Sequence, residues 1–464
     1  MKSVPWHWIA AAGIAAVLIG HDAARLWAPF GPSHDGFNAA LFMTGGRAII
    51  EEGPLASQLG ASSRTLAGDR VVYAHHPPFI YLASAGAYLA PGPVELRARL
   101  PALLAAFAAL GLTVLVLCRC ELGSGAVAMG ALIAFASPMF YVFGAVTEPH
   151  IMGLPFMAGL TLMWQRLRLG QQVPVWVLAA VALGGALTSW QAALFGGVVG
   201  AALFVEQRRA AGAAVWLGTA VGVSLTGLWI LWAYQGHPGD FLSRALLRAG
   251  AGAEDRVTIL QMARQQASYL REGFPVGFWL TLPVLIWGVV DHRTRALVVI
   301  TLGTVMAYAI AFKNGAYDHS YWLYSLLLPL ALGGAAATAA VARWLATREF
   351  SRLVPLRWGV AVALVGALGF TMWRPSNDSE PDRIGATLGA EARTVAWPPQ
   401  QRYAYHSFGG EGPTDLLPWL RFYAQREPMG VDGPDSIPRG AVLLQMVDGH
   451  LRVTPGTGAA ASGS

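Results

Sequence analysis

Long apolar runs, separated by short arginine-bearing stretches, recur along most of the chain. A helix needs about 20 apolar residues to cross a bilayer. Residues 6–26, 100–117, 213–234, 275–290, 296–312, 320–342 and 356–373 meet or approach that length. Residues 126–165 overshoot it: as one helix they would reach about twice the roughly 30 Å hydrocarbon thickness. They are predicted to fold as a hairpin broken at "AVTEPHIMG", where Pro149 and its polar neighbours Glu148 and His150 interrupt the run. The same arithmetic applies to residues 174–206, with a turn expected near Ser189 to Gln191. The pattern predicts an all-α polytopic membrane protein of about eleven transmembrane helices.

Two stretches break the rhythm. "HHPPFIYLASAGAYLAPGP" holds an apolar run too short to span, so its helix is predicted to lie along the membrane surface. Phe79, Tyr81 and Tyr88 would then sit at headgroup depth. Pro77 and Pro78 suit its first turn, and His75 and His76 stand at its N-terminus, where the helix dipole favours an anion. In residues 235–274, arginines alternate with apolar positions. Either an amphipathic surface helix, with Phe241, Leu246, Ile259, Leu260 and Tyr269 towards lipid, or a solvated connection fits.

Composition agrees with the pattern. Hydrophobic residues make up 55% of the chain and charged ones 12%, against about a quarter charged in soluble domains. The net charge of +6 comes from arginine, since Lys2 and Lys313 are the only lysines. With the N-terminus in the cytoplasm, Arg119, Arg166, Arg168, Arg208, Arg209, Arg293, Arg295, Arg343, Arg348, Arg352 and Arg357 fall in short loops on one side. That is the positive-inside bias, and it gives no reason to expect a nucleic-acid partner. The start of the chain has the shape of a signal peptide and is read as an uncleaved first span that orients those following. Cys118 and Cys120 are too few for a disulfide framework. The carboxylates are expected outside the spans, on the face opposite the arginines. The chain reads as a membrane domain, 1–374, whose first external loop is 27–99, and an external tail, 375–464. Within the tail "TDLLPWLRFYAQ" and "GAVLLQMVDGHLRV" could form a small α+β module before a disordered end.

Several segments, in order, resemble the GT-C membrane glycosyltransferases, in the branch of protein O-mannosyltransferases and the lipid A aminoarabinose transferase. They are "SHDGFNAALFMTGGRAIIEEG", "HHPPFIYLASAGAYL", "VELRARLPALLAAFAALGLTVLVLCR", "FASPMFYVFGAVTEPHIMGLPFMAGLTLMW" and "DHSYWLYSLLLPLAL". The resemblance implies a multispan fold and a polyprenyl-phosphate-linked sugar donor. It implies transfer to a glycan, lipid or protein acceptor on the periplasmic face of the bacterial inner membrane. It also implies an essential acidic residue in the first external loop, which maps onto Asp35. A second often follows at the next external tip, where this chain has Glu148 in place of the more usual aspartate.

Transfer from a lipid phosphate needs a group to take the acceptor's proton and cations to offset charge on the departing phosphate. Asp35 is the candidate base, Asp–Gly being also ordinary turn sequence. Glu148 is the second catalytic candidate, or else a plain turn carboxylate. His75, His76, Arg97, Arg99, Lys313 and His319 are candidates for the donor phosphate, against interfacial anchoring. His34, Tyr317, Asp318 and Trp190 are candidates for the substrate. No ligand set has established metal spacing, although the His75–His76 pair also suits a divalent metal. A multispan transporter or flippase of lipid-linked saccharides, or a non-catalytic scaffold, is the competing reading.

Overall fold

A computed structural model describes residues 5–30, 34–64, 70–251, 257–274, 278–347, 390–392, 402–406, 429–430, 441–447 and 450–455. The span expected at 356–373, the segment "TDLLPWLRFYAQ" and the C-terminal end lie outside them. The chain divides into two compact units. One comprises Met1–Asp22, Ala74–Ile80 and Ala102–Arg374, the other Ala23–Tyr73, Tyr81–Pro101 and Pro375–Ser464.

The first unit is a helical bundle. It opens with α1 (Trp6–Asp22) and takes in the longer part of α4 (Val94–Arg119). The over-long run at 126–165 becomes three helices, α5 (Ser124–Phe135), α6 (Pro138–Phe143) and α7 (Pro149–Arg168). The break expected at Pro149 is present, with the proline as the first residue of α7, where its missing N–H costs nothing. A second break precedes Pro138. The hairpin expected in 174–206 forms from α8 (Val175–Thr188) and α9 (Trp190–Val205), parted by Ser189 alone in extended conformation at φ −151° and ψ 136°. Helix α10 (Arg209–Ala233) lies along both arms. Its Gly222 faces Leu183 and Ala186, while Thr219 and Trp216 face Gly196 and Gly200 in the reverse order. Absent side chains let these backbones meet, the small-residue packing typical of helices in lipid.

The bundle continues with α11 (Gly239–Ala249), α12 (Ile259–Gly273), α13 (Phe278–Val290), α14 (Arg295–Ala311) and α15 (Lys313–Asp318). A 3-10 turn, Ser320–Leu326, then leads into α16 (Leu327–Ala346). Among the described residues three helices are long and apolar enough to cross a membrane by themselves: Val94–Arg119, Arg209–Ala233 and Ser320–Ala346. Of the other expected spans within the described residues, α7 has 20 residues and the rest are shorter, such as α8 and α9 with 14 and 16.

Helix α7 separates two chemically distinct ends of this unit. At its C-terminal end Glu206 lies 3.3 Å from Arg168 and 3.9 Å from Arg208. At the same end Asp291 lies 3.0 Å from Arg293 and 3.4 Å from Arg343. The other end carries Glu148, His150 and Ser189. One acidic residue departs from the sequence reading: Asp22 closes α1 inside the first expected span and is fully buried.

The second unit joins the first loop to the tail. Helix α2 (His34–Glu51) is followed by an antiparallel ribbon of β1 (Ser62–Arg64) and β2 (Arg70–Val72), then by α3 (Phe79–Tyr88), most of which belongs here. Gly45 and Gly46 let α2 approach Tyr81, Ser84 and Ala85 so closely that a Cβ at either would overlap them. Tyr81 is accordingly buried and donates to Tyr73 O at 2.7 Å, while Tyr88 donates to Glu51 at 2.7 Å. Tyr81 is therefore a core residue of α3. The tail adds β3 (Arg402–His406), β4 (Met429–Gly430), β5 (Ala441–Val447) and β6 (His450–Pro455) in the order β4-β3-β5-β6. β3 is parallel to both neighbours and β5–β6 is an antiparallel hairpin. One core binds loop and tail: Phe30, Ala39, Ala40, Met43 and Ala98 pack with Ala392 and Leu444.

Candidate functional site

In the second unit, Asp35 stands in the first turn of α2 and is nearly buried. Arg99 donates to its Oδ2 from Nε at 2.8 Å and Nη2 at 2.7 Å, and Arg25 Nε lies 3.3 Å from the same oxygen. Oδ1 is buried without a hydrogen-bond partner. Arg99 also donates to Ala28 O at 2.9 Å and Glu95 O at 3.2 Å, and its guanidinium lies 5.8 Å from the Phe30 ring centre. Burial alone would raise the Asp35 pKa, but the charges and hydrogen bonds of Arg25 and Arg99 outweigh it and hold the group at about 2. His34 beside it is exposed and lies 3.3 Å from Asn38 Nδ2.

In the first unit, His75 and His76 are buried. His75 Nε2 lies 3.1 Å from Asp240 Oδ2, and the indole of Trp190 donates to His75 O at 3.3 Å. Burial lowers the His75 pKa to about 4 and that of His76 to about 3, so both rings are neutral near pH 7. Glu148 opposes that shift at His76, while Arg248, His150 and His75 add to it. Glu148 is buried, and its Oε1 lies 3.4 Å from His150 Nδ1. The His150 ring stacks on Trp322 at 5.2 Å and meets the edges of Tyr308 and Tyr321, both at 5.7 Å.

Helix α11 supplies Arg248, half-buried and two residues before the left-handed Gly250 at φ +76°. A Cβ on Gly250 would meet Lys313 Cε at 2.5 Å and Asn314 Oδ1 at 2.9 Å. Arg248 and Lys313 thus flank one turn, and among the described residues neither pairs with a carboxylate. Leu246, Ile259 and Leu260 project outwards as expected of an amphipathic segment. Phe241 packs towards Trp190 at 6.3 Å, and Tyr269 donates to Tyr317 O at 2.8 Å, so these two turn inwards.

The sequence candidates therefore separate. His75, His76, Glu148, Lys313, His319 and Trp190 belong to one unit, with His319 stacked on Tyr321 at 5.1 Å. Tyr317 and Asp318 are exposed at the end of α15. Asp35, His34 and Arg97 belong to the other. Arg97 donates to Tyr88 O and lies 5.2 Å over that ring, which ties the end of α3 to α4. The residues that sequence reasoning did not single out are Arg25, His150 and Arg248. Among the described residues no three His, Cys, Asp or Glu side chains are grouped to hold a metal ion.

The fold is that of a solved polytopic membrane enzyme. ArnT from Cupriavidus metallidurans, crystallised bound to undecaprenyl phosphate, is similar with a TM-score of 0.63 at 16% identity, over 96% of this chain and 93% of that one. Its apo crystal structure gives a TM-score of 0.57 at 15% identity, over 95% and 94%. ArnT is the lipid A aminoarabinose transferase, so the GT-C resemblance read from the sequence extends to the fold. No protein-family sequence profile matches the chain, and no curated protein matches it in sequence.

Proposed function

We propose that the chain is an inner-membrane glycosyltransferase that moves a sugar from a polyprenyl-phosphate donor to an acceptor hydroxyl. The observation that carries this reading is the fold shared, over nearly the whole of both chains, with an enzyme crystallised with undecaprenyl phosphate. The first unit supports it independently. Among the described residues it offers two cations without carboxylate partners, Arg248 and Lys313, beside buried histidines whose N–H groups can donate to phosphate oxygens. The histidines are neutral, so they would act by hydrogen bonding while the arginine and lysine carry the charge.

Charge distribution supports an orientation. The end built on Glu206 and Asp291 with their arginines suits the cytoplasm, and in this reading Glu148 and His150 face the periplasm. In this reading α3, α11 and α12 lie along the membrane surface. Asp35, in the second unit, is the carboxylate that the family resemblance assigns to the acceptor hydroxyl. Held at about 2 by its arginines, it suits orienting that hydroxyl better than abstracting its proton. Attack opposite the phosphate inverts the anomeric centre.

The test is lipid binding by the full chain in detergent, followed by native mass spectrometry. Undecaprenyl phosphate should bind saturably and undecaprenol should not. Arg248→Ala and Lys313→Ala should each weaken binding by about tenfold, the loss of a charge-assisted contact of roughly 1.5–3 kcal/mol. Equal retention of phosphate and alcohol would remove the lipid phosphate from the proposal.

A further inference from the structure

Within the first unit, three polar atoms are buried without a hydrogen-bond partner where α7, α9 and the 3-10 turn are packed: His150 Nε2, Gln191 Nε2 and Trp322 Nε1. These residues are 4%, 1% and 4% exposed. Their other contacts fix them. The His150 ring stacks on that of Trp322 at 5.2 Å, and its Nδ1 lies 3.4 Å from Glu148 Oε1. Ser325 donates to Gln191 Oε1 at 2.6 Å. Trp322 and Ser325 are three residues apart in the 3-10 turn, a spacing that puts both on one face. His150 and Gln191 are each the second residue of a helix, α7 and α9. One face of the turn therefore meets two helix N-termini.

The cations proposed for the lipid phosphate are neighbours in the same unit. A Cβ on Gly315 would overlap the Trp322 ring, and Gly315 follows Lys313 by two residues in α15. Arg248 and Glu148 both act electrostatically on the Tyr308 hydroxyl, and the Tyr308 ring lies 5.0 Å from that of Trp322.

The three atoms have complementary roles. In a neutral imidazole the nitrogen beside a carboxylate carries the proton, so His150 Nε2 is the accepting one. Gln191 has its carbonyl engaged by Ser325 and offers amide N–H groups, while the Trp322 indole donates only. Two donors and one acceptor suit sugar hydroxyls, which both donate and accept. Tyr308 and Phe312 pack about the indole, and a water-poor setting strengthens each hydrogen bond made there. An ammonium group fits poorly. Glu148 already faces His150 and acts on His76, and Arg248 and Lys313 would repel a cation.

We infer that Gln191, His150 and Trp322 bind the sugar ring of the lipid-linked donor, and that this sugar is an uncharged polyol. The inference rests on the glycosyltransferase reading and deepens it. ArnT, by contrast, is named for an amino sugar.

Native mass spectrometry of the full chain in detergent can compare undecaprenyl phosphate with its glucosyl, mannosyl, galactosyl and aminoarabinosyl esters. At least one neutral ester should bind about tenfold or more tightly than the bare lipid phosphate, and the aminoarabinosyl ester should gain less. That comparison uses the parent protein and needs no variant to fold. Gln191→Leu and Trp322→Phe each remove a donor, and His150→Phe removes the acceptor. Each should lower the ratio of sugar-ester to bare-lipid affinity by about threefold or more, the bare lipid serving as reference within each variant. No gain from any neutral ester, a larger gain from the aminoarabinosyl ester, or variants that keep the parent's ratio would overturn the assignment. Failure of the parent to bind bare undecaprenyl phosphate would instead bring down the glycosyltransferase reading.

Discussion

Arg99 grips Asp35 by a single oxygen, Nε at 2.8 Å and Nη2 at 2.7 Å from Oδ2, and Oδ1 remains buried with no hydrogen-bond partner. The clamp fixes the carboxylate's direction and keeps it ionised. It also ties the N-terminus of α2 to α4 through groups that share little contact with water. Stability and the proposed function therefore meet at one side chain.

Asp35→Asn should destabilise the protein as well as impair it. The change leaves Arg99 and Arg25, 1% and 7% exposed, without their anion. Breaking a buried pair from one side costs about 3–5 kcal/mol. Thermal unfolding in detergent should show a clear drop, and Arg99→Lys, which keeps charge but loses the planar fork, a smaller one. A parental melting curve for Asp35→Asn would mean that the arginines readily find another partner.

Acidification should weaken the fold before Asp35 itself titrates. His75 and His76 titrate at about 4 and about 3 when folded, below the ordinary histidine value of 6.5. Between those values the unfolded chain binds more protons, so stability rises with pH there and is lost as pH falls from 6.5. The Asp35 contribution is lost only below its ordinary 3.8, as pH falls towards about 2. Melting temperature should thus decline from pH 6.5 to 4, and His76→Gln should flatten the decline. A slope that His76→Gln leaves untouched would assign it to other groups.

The proposed orientation can be read with a membrane-impermeant maleimide on intact cells, after Cys118 and Cys120 are replaced by serine. Leu55→Cys, at a position 79% exposed in the first loop, should react. Gln172→Cys, exposed beyond the arginine-rich end of α7, should react only after permeabilisation. The reverse pattern would invert the topology.

What the sequence disclosed depended on how local the signal was. Pro149 and the polar Ser189 mark chain breaks that arithmetic on apolar length demands, and both breaks are found. The neighbours His75 and His76, and Glu148 with its proline, stand out because polar groups interrupt apolar runs. Arginine partners were illegible, since a guanidinium's carboxylate is chosen by tertiary contact. Arg99 and Arg97 illustrate this. The expected second span starts at residue 100, whereas α4 starts at Val94, so both arginines are helical. Two residues apart on a helix, they face different ways. One holds Asp35 and the other holds Tyr88 O. Arg248 was hidden for the same reason within an amphipathic segment whose periodicity reports only its apolar side.

The shared core of loop and tail carries a consequence for biosynthesis. Met43 and Ala98 leave the ribosome early, whereas Ala392 and Leu444 are among the late arrivals, and all four pack in one cluster. Closing so long a loop costs entropy that only the finished cluster returns. The membrane helices must accordingly be threaded while Phe30 and Met43 still wait for their covering strands. A nascent chain stalled before β5 would hold a completed bundle and an open second unit, exposing to chaperones and proteases the very segment that bears Asp35.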